Sequence, residues 1–108
     1  MKLFVITAVR AFKKKVKKVL AESKVLTYSY VPVTGYRDST EDALSSNWFG
    51  TEMNKVDSIL FFAFVSEEVS ETVFNSIETI NKDCDINSRV HINVMPIEKY
   101  NSINSYQR

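Results

Sequence analysis

Residues 56–65 read VDSILFFAFV. Ile59, Phe61 and Val65 alternate with Leu60, Phe62 and Phe64, so an extended chain here is apolar on both faces. That pattern predicts a central strand of a sheet. The period then changes. Ser66 is a good N-cap residue, and Glu67 and Glu68 suit the positive end of a helix dipole. Val69, Val73, Ile77 and Ile80 form the apolar stripe of a helix ending near Asn81.

Upstream lies a long interruption, TGYRDSTEDALSSNWFGTEMNK, from Thr34 to Lys55. It holds few residues that build a core. Before it, residues 25–34 (VLTYSYVPVT) suit a strand with Tyr28 and Tyr30 on one face. Pro32 cannot donate to a ladder, which puts this strand at an edge or gives it a bulge. Gly35 marks a turn or a close backbone approach. Residues 11–23 read as a helix with Phe12, Val16, Val19 and Leu20 on one stripe. Five lysines (Lys13, Lys14, Lys15, Lys17 and Lys18) take the rest of its circumference, as a solvated face or a phosphate-binding one. Residues 3–9 (LFVITAV) read as a first strand, apolar in both registers. Residues 89–97 (RVHINVMPI) read as a last one. There Val90, Ile92 and Val94 face one way and Arg89, His91 and Asn93 the other, the pattern of a half-exposed or edge strand.

The order is therefore β-α-β-β-α-β. Two right-handed crossings give an antiparallel four-stranded sheet with both helices on one face, and with the first and third strands in the middle. The central strands are nonetheless apolar on both faces. Either Phe61 with Val65, or Phe62 with Phe64, points away from the helices. Soluble monomers avoid an apolar patch of that size, so the sequence predicts a homo-oligomer built through its sheets.

Composition narrows the function. The 108 residues make one domain, 44% apolar and 12% aromatic, which excludes disorder and fibrous repeats. The formal charge of +1 gives no global pull toward nucleic acid or membrane. A lone cysteine, Cys84, excludes an intrachain disulfide. The opening MKLFVITAVRAF is too short to span a membrane and lacks a cleavage pattern, so a cytoplasmic protein is expected. One histidine and one cysteine make no catalytic triad or dyad, and no catalytic residues are assigned.

The chain resembles the PII signalling superfamily. The residues that carry the likeness are VRAFKKKVKKVLAE, the VTGY of Val33–Tyr36, NKVDSILFFAFVSEEVSETVFNSI and VMPIEK, in order and at matching spacings. The resemblance implies one PII-like domain over residues 1–108: a ferredoxin-like subunit, a homotrimer, and a flexible T-loop over residues 36–55. It also implies a non-enzymatic regulator. Small effectors, nucleotides or anions, bind in clefts between subunits, and the loop docks on a membrane transporter or a regulatory protein. On this chain the implied effector residues are Gly35, Tyr36, Arg37 and Asp38 at the loop base, with Ser88 and Arg89 before the last strand. Trp48 and Phe49 are the implied partner contacts. A Trp folded back onto its own subunit or a neighbour is the other reading of Trp48.

Two departures bear on the effector. The family's nucleotide binders carry a glycine-rich loop before the last strand, whose backbone N–H groups cradle phosphate. Here that stretch is NKDCDINSRV, with no glycine and with Asp83 and Asp85. The family's terminal Arg-X-Arg is replaced by YNSINSYQR. The expected ATP site is thus degraded, the cofactor is unknown, and Arg37 and Arg89 remain as anion partners. The alternative function is a divalent-metal-binding PII-like or CutA-like trimer for metal tolerance or efflux. His91, Cys84, Met53 and Met95 are its soft or borderline ligands. No CxxC, HxH or HExxH spacing is present, and no metal ligands are assigned. Acylphosphatases share the strand order but need a Gly-rich phosphate loop with an arginine. RNA-recognition domains need basic residues and glycines on the third strand, where this chain has Asp57, Ser58 and Ala63. No nucleic-acid partner is expected.

Overall fold

The computed structural model describes residues 1–36, 55–83 and 89–101. Its strands are β1 (Lys2–Val9), β2 (Ser29–Tyr36), β3 (Lys55–Val65) and β4 (His91–Pro96), and its helices are α1 (Lys13–Glu22) and α2 (Glu67–Lys82). A 3-10 turn, Arg10–Phe12, leads into α1. The strands form one sheet in the order β2-β3-β1-β4, with every neighbouring pair antiparallel. This is the ferredoxin-like arrangement expected from the sequence, with β1 and β3 central.

Strand alternation decides which side chains make the core. Phe4, Ile6 and Ala8 of β1 and Ile59, Phe61 and Ala63 of β3 are buried with Val16, Val19 and Leu20 of α1 and Val73 and Ile77 of α2. Both helices therefore share one face of the sheet. Phe4 and Phe61 are fully enclosed, each worth about 1.5–3 kcal/mol of burial. Ser66 caps α2 as expected, its Oγ accepting the Val69 N–H at 3.3 Å, and such a cap stabilises a helix by about 1 kcal/mol.

The other face settles which phenylalanines turn away. The register puts Phe64, Leu3 and Met95 in one cross-strand row, and Ser29, Phe62, Val5 and Asn93 in the next. Val31, Leu60, Thr7 and His91 make a third row. Phe62 and Phe64, not Phe61 and Val65, point away from the helices and meet edge to face with ring centroids 6.5 Å apart. No described helix covers them. Phe64 is 57% exposed, Val31 44% and Met95 38%.

β2 starts later than expected. The sequence suits a strand from residue 25, but the Val25 amide is already used. It donates to the Leu20 carbonyl at 2.9 Å, while the Lys24 amide donates to Ala21 at 3.1 Å. These two bonds are a Schellman closure of α1. Lys24 occupies the left-handed position with φ 63°, where glycine is the usual residue. Val25 tucks into the core beside Leu20, and β2 begins only at Ser29. At its far end β2 runs on through Gly35 to Tyr36, which pairs with Lys55. Gly35 makes no turn; it is a buried residue within the strand, one before its end, paired with Val56 across the ladder. The first helix also differs: the reading from residue 11 to 23 resolves into the 3-10 turn and α1.

Candidate functional site

The best-defined polar construction lies where α2 hands over to β4. The Asn81 side chain clasps the main chain of Val90: its Nδ2 donates to the Val90 carbonyl at 2.8 Å, and its Oδ1 accepts the Val90 N–H at 2.8 Å. An amide side chain thus satisfies a residue just outside the ladder as a neighbouring strand would. Val90 is buried, and the clasp fixes the two residues flanking it, Arg89 and His91.

Arg89 is exposed and lies outside β4, which starts at His91 rather than at residue 89 as read from the sequence. It lines an open cleft of about 320 Å³ with Phe74, Glu78 and Lys82 of α2 and with His91. Lys82, at the helix end, and Arg89 make the rim cationic, and Glu78 opposes them. His91 is half-buried. Burial, and then the Arg89 charge, hold its imidazole below the usual 6.5. It is therefore neutral at neutral pH.

The loop-base residues lie elsewhere. Gly35 and the Tyr36 backbone sit at the end of β2, on one edge of the sheet, and Arg89 lies beside β4, on the other. β3 and β1 separate them, three interstrand steps or roughly 14 Å laterally. Both groups fall at the same end of the sheet, since Gly35 pairs with Val56 near the start of β3 and His91 pairs with Thr7 near the end of β1. One subunit does not bring them together. Arg37, Asp38, Trp48, Phe49 and Ser88 lie outside the described residues, as do Cys84 and Met53.

Among the described residues no group of three or more His, Cys, Asp or Glu side chains could hold a metal ion. His91 and Met95 share the helix-free face of β4, two rows apart. On that face Thr7 is 2% exposed, and among the described residues its Oγ1 has no hydrogen-bond partner.

Sequence reasoning missed the Asn81 clasp, because nothing local separates this asparagine from any other near a helix end. It also missed what Lys13 and Lys17 do. Their Nζ atoms stand over the same Tyr30 ring, 4.7 and 5.0 Å from its centroid. Tyr30 in turn packs against Tyr28 and Phe61 in tilted pairs, with centroids 6.3 and 5.6 Å away.

A scan of protein-family models and a search of curated proteins return no match. Among solved structures the chain is similar to CPII, a nitrogen regulatory PII-like protein from Thiomonas intermedia K12 bound to ADP, AMP and bicarbonate. The TM-score is 0.59 at 15% identity, over 92% of this chain and 93% of that one. At that identity the likeness is one of fold: the chain has a PII-like, ferredoxin-like architecture. No described helix is long and apolar enough to cross a membrane.

Proposed function

We propose that this chain is a non-enzymatic, PII-like signal-transduction regulator acting in the cytoplasm as a homotrimer. The single domain, residues 1–108, binds a small effector in clefts between copies. It contacts a transporter or regulatory protein through the segment between β2 and β3, with Trp48 and Phe49 as anchors. The observation that carries the reading is the helix-free sheet face, where Leu3, Val5, Leu60, Phe62 and Phe64 form one apolar surface. Copies that pack this face against one another remove it from water.

Assembly also gives a use to the separated site halves. Gly35, Tyr36, Arg37 and Asp38 of one copy would meet Ser88 and Arg89 of the next. The effector is a nucleotide or an anion such as those bound by CPII. Arg89 and Lys82 supply positive charge for it, and the missing glycines limit its grip on a triphosphate.

Two measurements test this. Sedimentation should give three times the 12.4 kDa chain mass. Calorimetric titration with ADP, AMP and bicarbonate should show binding that Arg89→Ala removes. A monomer at micromolar concentration would end the proposal. Binding of copper, zinc or nickel that is lost in Cys84→Ser, with no nucleotide or bicarbonate binding, would establish the metal-binding trimer instead.

A further inference from the structure

Among the described residues the densest run of cations lies on α1, away from the proposed effector cleft. From Arg10 to Lys18 there are six cations and no carboxylate. Helical geometry sets Lys13 and Lys17 in one column and Lys14 and Lys18 in the next, with about 6 Å along the axis between members of a column. Val16, Val19 and Leu20 take the opposite arc and face the core. Among the described residues the ion pair formed is Lys2 with Glu67, so within them no carboxylate pairs with an α1 lysine, although Glu22 follows Lys18 by one helical turn. Like charges four residues apart on a helix repel, so this face gains from an external anion.

Two apolar features stand beside the charge. Leu26 follows the α1 closure and is 93% exposed, two residues beyond the exposed Lys24. Tyr30, at the β2 edge, is 43% exposed and holds the Lys13 and Lys17 ammonium groups over its ring. The acidic side chains Glu67, Glu68, Glu71 and Glu78 belong to α2 instead. The molecule thus has a basic α1–β2 side, and an anionic surface would orient it with that side down.

We propose that the α1–β2 edge, with Lys13, Lys17, Lys18, Lys24, Leu26 and Tyr30, docks on an anionic phospholipid membrane. The lysines supply attraction to the headgroups, on the order of fivefold in affinity for each one near the surface. Tyr30 sits at headgroup level, as amphipathic rings do, and Leu26 enters the acyl boundary. A lipid surface fits better than a nucleic acid, because the α1 cations are lysines, point charges without the planar fork that reads base edges. It fits better than a protein partner because the apolar side chains this edge exposes, Leu26 and Tyr30, stand among lysines and not in one contiguous apolar patch of anchor size. The surface stands whether or not the effector cleft does, since the two share no residue.

The test is co-sedimentation of the full chain with vesicles. Vesicles of phosphatidylcholine with 30% phosphatidylglycerol should bind it at low salt, phosphatidylcholine alone should not, and 0.5 M salt should release it, on the order of the screening expected for surface charge. The double substitution Lys13→Glu with Lys17→Glu should weaken binding about tenfold or more. Leu26→Ser, at a side chain the fold does not enclose, should weaken it severalfold with the circular dichroism spectrum unchanged. Lys99→Glu, an exposed charge beyond β4, should leave it as it was. Equal binding to both vesicle types, no binding to either, or insensitivity to Lys13, Lys17 and Leu26 would overturn the proposal. So would tighter binding to polyglutamate or duplex DNA than to the anionic vesicles.

Discussion

Asn81 and Val90, nine residues apart in sequence, hold each other through two hydrogen bonds of 2.8 Å, one in each direction. The pair fastens the end of α2 to the start of β4. It thereby fixes the position of Arg89, the cation on which the proposed effector cleft depends. Asn81→Ala would leave a partly buried N–H and C=O without partners. The expected loss is about 2 kcal/mol of unfolding free energy in a urea titration, since each abandoned group costs about 1–3 kcal/mol and solvent recovers part of it. Asn81→Asp keeps the acceptor and loses the donor, and should fall between.

Lys24 offers the opposite sign. It sits at φ 63° only because the α1 closure needs a left-handed residue there. Lys24→Gly should raise stability by about 1 kcal/mol, the steric penalty that a Cβ carries in this region. Lys24→Val, β-branched, should lower it. Thermal melts of the two variants against the parent would read both. A Gly variant less stable than the parent would contradict the local account.

Phe64 separates subunit stability from assembly. More than half of its surface is open in the subunit, so Phe64→Glu removes little from the core. It places a charge within the proposed contact between copies, where desolvation is costly. Sedimentation should show monomers, with the circular dichroism of the folded chain retained. An unchanged oligomer would exclude this face from the interface.

His91 adds a pH dependence. Its folded-state value lies below 6.5, through burial first and the Arg89 charge second. Between that lowered value and 6.5 the unfolded chain binds more protons than the folded one, so stability rises with pH through this window and falls on acidification. His91→Asn should flatten the urea midpoint between about pH 5 and pH 7, below which the carboxylates take over. Arg89→Ala should shrink the slope without removing it, because burial is the larger cause.

The sequence carried most of the fold because its periods were unambiguous. The double alternation of 56–65 and the stripe Val69, Val73, Ile77 and Ile80 fix β3 and α2 to within a residue or two, since strand and helix bury side chains at different intervals. Pro32 left β2 either an edge position or a bulge, and β2 is an edge strand. The start of β2 was not legible. Val25 and Leu26 have strand-like side chains, but the Val25 amide is committed to the helix before it, a competition visible only once the backbone is placed.

Of the candidate site, the sequence supplied residue types and little of their arrangement. It offered Gly35, Tyr36 and Arg89 and a strand order that sets them on opposite edges, but not the Asn81 clasp that holds the Arg89 end in place. Periodicity also left open whether Phe61 or Phe62 faced the helices; the tertiary structure chose Phe61, packed against Tyr30. Local spacing records which residues share a face of one element. Which face meets the helices, which amide is already bonded and which cations converge on one ring depend on contacts between distant segments, and only packing of the whole sheet decides those.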